Sequence, residues 1–386
     1  MPTAPVILSN KPGSFAWSVF HDRHPKLIQQ VLDARPYEPE QQTKLRRLLE
    51  DSRDGVLEPL GEHADDSSRW LEWGQGLWGL PWGDAPFLWA ESYFYRRILD
   101  ATGYFDPGAW HGVDPFAPFK AAELAGQAVD EELAALGDLS ALSEEKTREA
   151  LLLSSLWGNR ADLSFQITEG TRADQSSALL VDDSALLWSL LASTATRTVA
   201  LIADNAGREL LPDLLLIDHL LACGLAAQVV LYVKPHPYYV SDATTTDTLA
   251  AIERLSTSRE AEARSAGHRL SSALRQGTLV MRTHQFFCAP LPFHDMPADL
   301  TTELTTADLV ILKGDLNYRR LVGDRDSSAA ASFTQATAYF PAGVAALRTL
   351  KSDVAVGLED RVIRALDDSG EHWRTSGRHA VVQVRP

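Results

Sequence analysis

The spacing of apolar residues changes along this chain and separates two kinds of predicted structure. Between residues 14 and 100, apolar side chains recur every three or four positions, which is the period of amphipathic helices. After residue 184, short apolar runs rich in valine, leucine and isoleucine alternate with helical segments. Short buried strands that alternate with helices are typical of a doubly wound, mostly parallel sheet.

Six apolar runs are predicted to be strands of that sheet. In chain order they are TVALIAD, AAQVVLYV, GTLVMRTH, ADLVIL, SDVAVGL and HAVVQV. We therefore expect an α/β protein in which an N-terminal helical region packs on a C-terminal three-layer α/β/α Rossmann-like domain with a mostly parallel sheet. The expected bounds are residues 1–150 for the helical region and 151–386 for the α/β/α domain, and the two form one functional unit.

The central stretch, residues 198–221, has the pattern of a buried strand, an acidic turn and a helix that starts near Pro212. Its turn contains Asp204 and Asn205, whose side-chain oxygens suit a hard cation such as Mg²⁺ or Mn²⁺. In open α/β sheets, ligands bind beyond the carboxyl ends of the strands. Taken alone, the same residues are more often an ordinary turn, because Asp, Asn and Gly favour turns for local reasons.

Further polar clusters are expected at the same edge of the sheet. Asp242 follows the run AAQVVLYV, residues 313–319 follow ADLVIL, and residues 348–351 precede SDVAVGL. Three oxygen ligands, from Asp204, Asn205 and Asp242, would leave a divalent ion with open positions for water and a phosphate oxygen. Lys351 and Arg319 would bind the remaining phosphoryl oxygens. Taken singly, each cluster is more often a solvated loop, because loops are normally polar.

Aromatic residues are concentrated near the start of the chain, where seven of the ten tryptophans lie in the first 110 residues. Packing into a helical core is the commoner reason for such a concentration, and lining of a substrate pocket is the alternative. Glu91 and Arg96 lie in one aromatic stretch. They are either pocket residues or members of a structural ion pair.

The amino-acid composition indicates which classes of binding partner and which cellular compartment to expect. The 36 Lys and Arg against 52 Asp and Glu give a formal charge of −16, which argues against nucleic acid or a membrane as the main partner. Two cysteines provide no disulfide framework. The N-terminal residues lack a signal-peptide pattern, and no apolar run is long enough to span a membrane. We expect a cytoplasmic protein, and the oligomeric state stays open.

Motifs of several common enzyme classes are missing. The chain has no G-x-S-x-G elbow and no Walker A sequence, and its single G-x-G-x-x-G match, at residues 74–79, follows no predicted strand. Two groups that contain histidine, at residues 21–24 and 284–294, match no standard zinc spacing.

Five ordered stretches carry a resemblance to a known family. They are SLWGNRADLS, DNAGREL, KPHPYYVSDAT, LKGDLNYRRLVGD and LRTLKSDVAVGL. Together they resemble the metal-dependent damage-control phosphatase family, once called domain of unknown function 89. The Arg-Thr-x-Lys form at residues 348–351 resembles its subfamily III, the acidic residue methyltransferase 1-like sugar phosphate phosphatases.

The resemblance implies a site and an activity. It implies metal binding by Asp204, Asn205 and Asp242, with Mn²⁺, Mg²⁺, Co²⁺ or Ni²⁺ as the ion. The expected substrate-binding residues are Asp204, Asn205, Asp315, Leu316, Asn317, Tyr318, Arg319, Lys351, Asn159 and Glu91. Asp162 matches the same family motif as Asn159. The implied activity is hydrolysis of small phosphorylated metabolites, such as fructose 1-phosphate.

The leading hypothesis is a metal-dependent phosphomonoesterase with a small-molecule phosphate ester as substrate. Asp204, Asp242 and Asp315 are the expected catalytic residues. Asp204 is either the nucleophile or a ligand beside a metal-bound water, and Asp315 is a hydrogen-bond acceptor or proton carrier near the sugar. Two alternatives are an S-adenosylmethionine-dependent protein-glutamate carboxyl methyltransferase and a non-catalytic binding module. The chain has no glycine-rich loop after the first predicted strand to bind the methyl donor, which argues against methyl transfer.

Overall fold

The C-terminal part of the chain contains a sheet of seven strands. The computed structural model describes residues 4–61, 64, 66–139, 142–158, 178–192 and 198–386. Within these residues the strands are β1 (Leu179–Asp182), β2 (Thr198–Ile202), β3 (Gln228–Val233), β4 (Leu279–Thr283), β5 (Leu309–Lys313), β6 (Gly343–Thr349) and β7 (Ala380–Arg385).

The sheet has the strand order β1-β7-β6-β5-β2-β3-β4. Every neighbouring pair is parallel except β6 and β7. Ile202 at the end of β2 lies opposite Leu312 of β5 and Tyr232 of β3. The five strands β2 to β6 therefore end at one edge of the sheet, which we call the carboxyl edge, and the chain segments that follow them meet there.

Helices surround the sheet and form the N-terminal region. They are α1 (Phe15–Ser18), α2 (His24–Ala34), α3 (Pro39–Asp54), α4 (Ser67–Trp73), α5 (Phe87–Thr102), α6 (Ala117–Leu124), α7 (Gln127–Leu139), α8 (Glu144–Trp157), α9 (Ser184–Ala192), α10 (Leu210–Ala222), α11 (Thr245–Ser256), α12 (Ala261–Gln276), α13 (Ala298–Leu304), α14 (Gly314–Val322), α15 (Phe333–Ala336) and α16 (Asp360–Asp368). A π-helical turn, Val19–Arg23, separates α1 from α2.

Both faces of the sheet are buried, which explains why its strands are almost wholly apolar. Val199 and Leu201 of β2 belong to a core with α8, α10, α11 and α12. Ala200 and Ile202 point the other way, into a core with α13, α14 and α15. Full burial of each Val, Leu or Ile side chain contributes about 1.5–3 kcal/mol. The predicted three-layer α/β/α architecture is confirmed.

One predicted strand is wrong. SDVAVGL, residues 352–358, is not a strand, and the strand at that place in the sheet is β6, seven residues in length, which ends before it. Val354 and Val356 are buried against the same core, but their carbonyl groups accept hydrogen bonds from the side chains of Arg348 and Tyr318. Burial without ladder pairing therefore produced the apolar pattern. The short strand β1 was not predicted.

The N-terminal helical region has an aromatic core of its own. Trp70, Trp82, Trp89 and Tyr93 are all buried in it. The rings of Trp70 and Trp89 meet edge to face, with their centroids 5.8 Å apart. The tryptophan-rich sequence thus reflects packing. The predicted division between residues 150 and 151 falls inside α8, and the division into two units stays a prediction.

In the part of the chain that the structure describes, no helix combines the length and the apolar character needed to cross a lipid bilayer. The cytoplasmic location stays a prediction.

A buried polar cluster connects the end of β5 to two helices. The ammonium of Lys313 lies 2.9 Å from Asp213 Oδ1 in α10 and donates to Ser155 Oγ in α8 at 2.8 Å. Ser155 Oγ in turn donates to Asp213 Oδ1 at 2.6 Å. All three residues are buried, so the charges of Lys313 and Asp213 depend on each other for compensation.

We expect Asp213→Ala to lower the free energy of unfolding by about 3–5 kcal/mol, because it leaves the Lys313 ammonium buried without a counter-charge. Urea unfolding followed by circular dichroism measures the change. The matched control is Glu359→Ala, which breaks a solvent-exposed pair with Arg361 and should cost less than about 1 kcal/mol. Equal effects of the two substitutions would contradict this description of the cluster.

Candidate active site

Backbone pairing at the carboxyl edge brings the turn after β2 against the loop after β3. The N–H of Ala243 donates to the Asp204 carbonyl at 2.9 Å, and the N–H of Ala206 donates to the Ser241 carbonyl at 2.6 Å. Asn205 and Asp242 form an isolated antiparallel bridge. The three predicted metal ligands are therefore adjacent in the fold, although 38 positions separate Asp204 from Asp242 in the sequence.

The amide of Asn205 connects two carboxylates. Its Nδ2 donates to Asp204 Oδ2 at 3.3 Å and to Glu209 Oε2 at 2.8 Å. Its Oδ1 accepts a hydrogen bond from Ser241 Oγ at 2.7 Å. Two acceptors on one side and one donor on the other fix the orientation of the amide. Asn205 is thus held between Asp204 and Glu209.

The first residue of α14 must be glycine for Asp204 to lie where it does. Gly314 has a φ of +82°, and a Cβ there would lie 1.8 Å from Asp204 Oδ2. Asn317, one turn further along α14, donates to the Ala203 carbonyl at 3.0 Å and to the Lys313 carbonyl at 2.8 Å. The N-terminus of α14 is thereby fixed against the Asp204 turn, where its dipole favours a negative charge.

Asp242 and Lys234 form a second buried pair in the site. The Lys234 ammonium lies 3.6 Å from Asp242 Oδ2, and both side chains are at most 2% exposed. This distance is an ion pair rather than a hydrogen bond. Among the residues that the structure describes, neither Lys234 Nζ nor Asp242 Oδ2 has a hydrogen-bond partner. Two buried polar atoms are therefore left for something that the protein itself does not supply.

The carboxylates of the site are costly to ionise. Burial raises the pKa of Asp204 well above its ordinary value, and the negative charges of Asp242 and Glu209 act in the same direction. Burial also raises the pKa of Asp242, against the opposing charge of Lys234. Two buried carboxyl groups that repel each other would be stabilised in their charged form by a cation.

These residues fit a hard divalent cation. Asp204 and Asp242 offer carboxylate oxygens, one of them without a partner, and Asn205 offers a neutral amide oxygen, which is the donor chemistry of Mg²⁺ and Mn²⁺ sites. No group of three or more His, Cys, Asp or Glu side chains placed for a metal occurs among the residues that the structure describes. The set of Asp204, Asn205 and Asp242 has only two such side chains, with the amide as the third donor.

Asp315 lies one residue into α14 and accepts several hydrogen bonds. Arg348 donates to its Oδ1 from Nε at 2.8 Å, and the N–H of Lys351 and the hydroxyl of Ser352 each donate at 3.1 Å. Burial acts to raise the pKa of Asp315, but the charges of Arg348 and Arg319 hold it below its ordinary value. This is the environment of an ionised hydrogen-bond acceptor.

The next three residues of the predicted substrate-binding segment point into the protein. Leu316 packs with Leu88, Tyr238 and Cys288. Asn317 is wholly buried in the contacts described above. The hydroxyl of Tyr318 donates to Gln383 at 2.8 Å. These side chains position α14, and their predicted role in substrate binding stays a prediction.

Arg319 and Glu91 come together across the two regions of the protein. Arg319 donates to Glu91 Oε2 at 2.9 Å and to Asp324 Oδ1 at 2.6 Å. Glu91 also accepts from the Tyr239 hydroxyl at 3.3 Å. Burial raises the pKa of Glu91, against the charge of Arg319. Glu91 is thus a member of a buried ion pair, and so is Arg96, which pairs with Asp66 at 2.7 Å.

Lys351 follows β6 and is the more accessible of the two lysines in the site. Its side chain is 42% exposed, and its ammonium lies 3.4 Å from Glu209 Oε1. Burial acts to lower the pKa of Lys351, but the charges of Glu209, Asp204 and Asp315 raise it overall. Asn159 and Asp162 lie outside the described residues.

Three contributors to the site had no role predicted from sequence, although one of them, Arg348, lies in the predicted polar cluster at residues 348–351. Glu209 bonds Asn205 and Lys351, Lys234 pairs with Asp242, and Arg348 holds Asp315. Lys234 directly follows an apolar run and Glu209 precedes α10, which are the positions that other site residues occupy. A search for every charged residue just beyond a strand would have found Lys234 but not Glu209.

Comparison with known proteins shows which family this chain is similar to. A model described as the damage-control phosphatase ARMT1-like domain matches residues 19–365. Damage-control phosphatase ARMT1 of Danio rerio is 33% identical over 98% of this chain and 96% of its own length. The Homo sapiens protein of that name is 32% identical over 99% of each chain.

The fold is also shared with a solved structure. The crystal structure of a DUF89 family protein from Pyrococcus horikoshii covers 96% of this chain and 98% of its own, with a TM-score of 0.52 and 15% identity. Together with the nearly full-length matches to curated relatives, this confirms the family resemblance of the five sequence stretches. The chain belongs to the damage-control phosphatase family, in its ARMT1-like branch, and is a phosphatase.

Proposed function

We propose that this protein is a metal-dependent phosphomonoesterase that hydrolyses small phosphorylated metabolites, with sugar phosphates such as fructose 1-phosphate as the substrate class. The observation that supports it most is the buried pair of Asp204 and Asp242 beside two lysines at the carboxyl edge. Buried carboxylates suit a divalent cation, and the neighbouring ammonium groups suit the phosphoryl group.

Asp204, Asn205 and Asp242 would hold the ion, which is Mn²⁺, Mg²⁺, Co²⁺ or Ni²⁺ in this proposal. A divalent ion there supplies Lewis acidity to the phosphoryl group. The protein supplies the rest. Gly314 leaves the space for Asp204, and the amide network of Asn205 keeps the ligands in register before any ion binds.

Lys351 is our proposed ligand for an outer phosphoryl oxygen. Its ion pair with Glu209 is long, at 3.4 Å, and both side chains are partly exposed, so its ammonium can move to a phosphate without leaving a fully buried charge behind. The N–H groups in the first turn of α14, around Asp315 and Leu316, are a second proposed contact, because helix N-termini bind anions.

Glu91 and Asp315 are our proposed acceptors for hydroxyl groups of the substrate. Arg319 and Tyr239 hold the Glu91 carboxylate, and Arg348 holds that of Asp315. A fixed, ionised carboxylate binds a sugar hydroxyl without reorganisation. Asp204 as nucleophile and a water beside the ion are both compatible with this arrangement.

No structural observation favours the methyltransferase alternative. The turn after β2 has Asp204, Asn205 and Ala206 where a glycine-rich cofactor loop would begin, and only one glycine, Gly207, follows them. The cations nearby suit phosphate better than a sulfonium, which is itself positively charged.

Metal-stripped protein should release no phosphate, and addition of Mn²⁺, Mg²⁺, Co²⁺ or Ni²⁺ singly should restore release from sugar phosphates. The reason is that the two ligating carboxylates need a cation before a phosphate dianion can approach them. Phosphate release across a panel of sugar and nucleotide phosphates measures this. No release with any ion, together with S-adenosylmethionine binding in calorimetry, would contradict the proposal.

Asp242→Asn should lower phosphate release at least about 100-fold, because it removes a charged metal ligand while keeping the shape of the side chain. Initial rates with saturating Mn²⁺ measure the loss. The control is Asp368→Asn, an exposed carboxylate at the end of α16, which should keep the wild-type rate. Circular dichroism checks that both variants are folded, and a folded Asp242→Asn enzyme with the wild-type rate would rule out this site.

The affinity for Mn²⁺ should fall as the pH falls. We expect this fall to begin at a pH above the range in which ordinary carboxyl groups titrate. The pKa of Asp204 is raised, so protons compete with the ion there by about tenfold per pH unit below that pKa. The metal-free fold should respond in the opposite direction and gain stability as the pH falls through the folded-state pKa. Calorimetry between about pH 5 and pH 8 tests this, and an affinity that does not change over that range would disagree with it.

A further inference from the structure

Lys234 has an unusual position for a charged side chain. It directly follows β3, and its N–H donates to the Ala243 carbonyl at 2.8 Å, so its backbone is fixed. The side chain is 1% exposed. Within the described part of the chain its ammonium has no hydrogen-bond partner, and it lies 3.6 Å from Asp242 Oδ2 and 5.9 Å from the centre of the Tyr238 ring.

Two other buried lysines show what a satisfied ammonium looks like in this protein. Lys120 lies 2.6 Å from Asp114 and 2.7 Å from Asp247. Lys313 bonds Ser155 and pairs with Asp213 at 2.9 Å. Each has at least two short contacts, whereas Lys234 has none within hydrogen-bonding distance of any residue described by the structure. An ammonium has three donors, and leaving them unused in the interior is costly.

The unsatisfied donors of Lys234 and the unsatisfied oxygen of Asp242 face each other across a gap slightly wider than a hydrogen bond. The charge of Lys234 also acts on Asp204, whose carboxylate lies at the start of α14. One buried cation therefore lies 3.6 Å from one proposed metal-ligating carboxylate, and its charge also acts on the other. A partner for these donors has to be an acceptor, and an oxygen of a phosphoryl group held beside Asp242 is an acceptor of the right charge.

We propose that Lys234 is a substrate-binding residue whose ammonium donates to an oxygen of the phosphoryl group. This inference rests on the proposed phosphatase function. When Asp242 binds an ion, its charge is compensated by that ion, and the ammonium is left to neutralise the phosphate dianion. Lys234 and the exposed Lys351 then bind the phosphoryl group from the interior and from the mouth of the site.

The competing explanation is that Lys234 is only a counter-ion that keeps Asp242 folded into the protein. The two roles differ in what they predict for a folded variant. A counter-ion that never contacts substrate affects stability, and it acts on the affinity for phosphate only through its charge at a distance, which is weaker than a direct charge-assisted hydrogen bond. A lysine that binds the phosphoryl group directly affects the affinity for phosphate. Its removal does not weaken the binding of the metal ion alone, because the positive charge of the lysine repels that ion.

The experiment uses Lys234→Met and Lys234→Gln, which remove the charge and keep much of the side-chain length. Inorganic phosphate is the probe, titrated by calorimetry and as an inhibitor with saturating Mn²⁺. We expect phosphate to bind about 10- to 100-fold more weakly and kcat/KM to fall by at least as much. The Mn²⁺ affinity measured without phosphate should be unchanged or higher.

Lys120→Met is the matched control, since it also removes a buried ammonium. Its donors are occupied by Asp114 and Asp247, so it should reduce stability and leave phosphate affinity unchanged. Folded Lys234 variants with wild-type phosphate affinity would overturn the inference while the phosphatase function stands. A wild-type enzyme without activity towards any ester would instead remove the proposed function.

If neither Lys234 variant folds, wild-type protein labelled with ¹⁵N-lysine provides the test. Phosphate added to the Mg²⁺-loaded enzyme should move the side-chain signal of Lys234, which is told apart from those of the other buried lysines, Lys120 and Lys313, by the spectra of Lys120→Met and Lys313→Met. Movement confined to exposed lysine signals would show that phosphate contacts Lys351 alone, and the inference would be overturned.

Discussion

The backbone pairing between the Asp204 turn and the Asp242 loop is the constraint on which the rest of the site depends. Four main-chain groups at Asp204, Ala206, Ser241 and Ala243 hold the two segments together, at distances of 2.6 and 2.9 Å. That pairing leaves two carboxyl groups side by side where water is scarce. The fold therefore contains an electrostatic conflict that side chains alone do not remove, and the surrounding residues are arranged around it.

Several neighbours reduce this conflict without ending it. Lys234 compensates Asp242 at a distance too long for a hydrogen bond, and Asn205 donates to Asp204 and Glu209. Glu209 in turn attracts Lys351. The contacts of Lys234 and Lys351 are long, at 3.6 and 3.4 Å, in contrast to the short contacts among Lys313, Asp213 and Ser155. Incomplete compensation is what preorganised sites show, because ligand binding completes it.

The sequence predicted the layers and the sheet edge at which Asp204, Asn205 and Asp242 lie together, since the period of apolar residues and the rule for parallel strand ends are both local. It failed where a residue is buried for another reason. Val354 and Val356 look like strand residues, but they pack on the core while their carbonyls bond Arg348 and Tyr318. The incomplete contacts of Lys234 leave no trace in sequence, because they depend on which segment faces it. The ion pair of Glu91 was one of two alternatives, and only the fold shows its partner.

The contact between Glu91 and Arg319 has a consequence for how this architecture can be recombined. Arg319 lies on the same helix as Gly314, which touches Asp204, whereas Glu91 lies on α5 in the aromatic helical region. A chimera that combines the helical region of one relative with the sheet of another would pair a residue at position 91 from one protein with a residue at position 319 from the other. The charges of these two buried residues need not compensate each other. A working exchange of these halves therefore requires that Glu91, Arg319 and Asp324 are all kept. A substitution at any one of them would make the halves of different relatives incompatible.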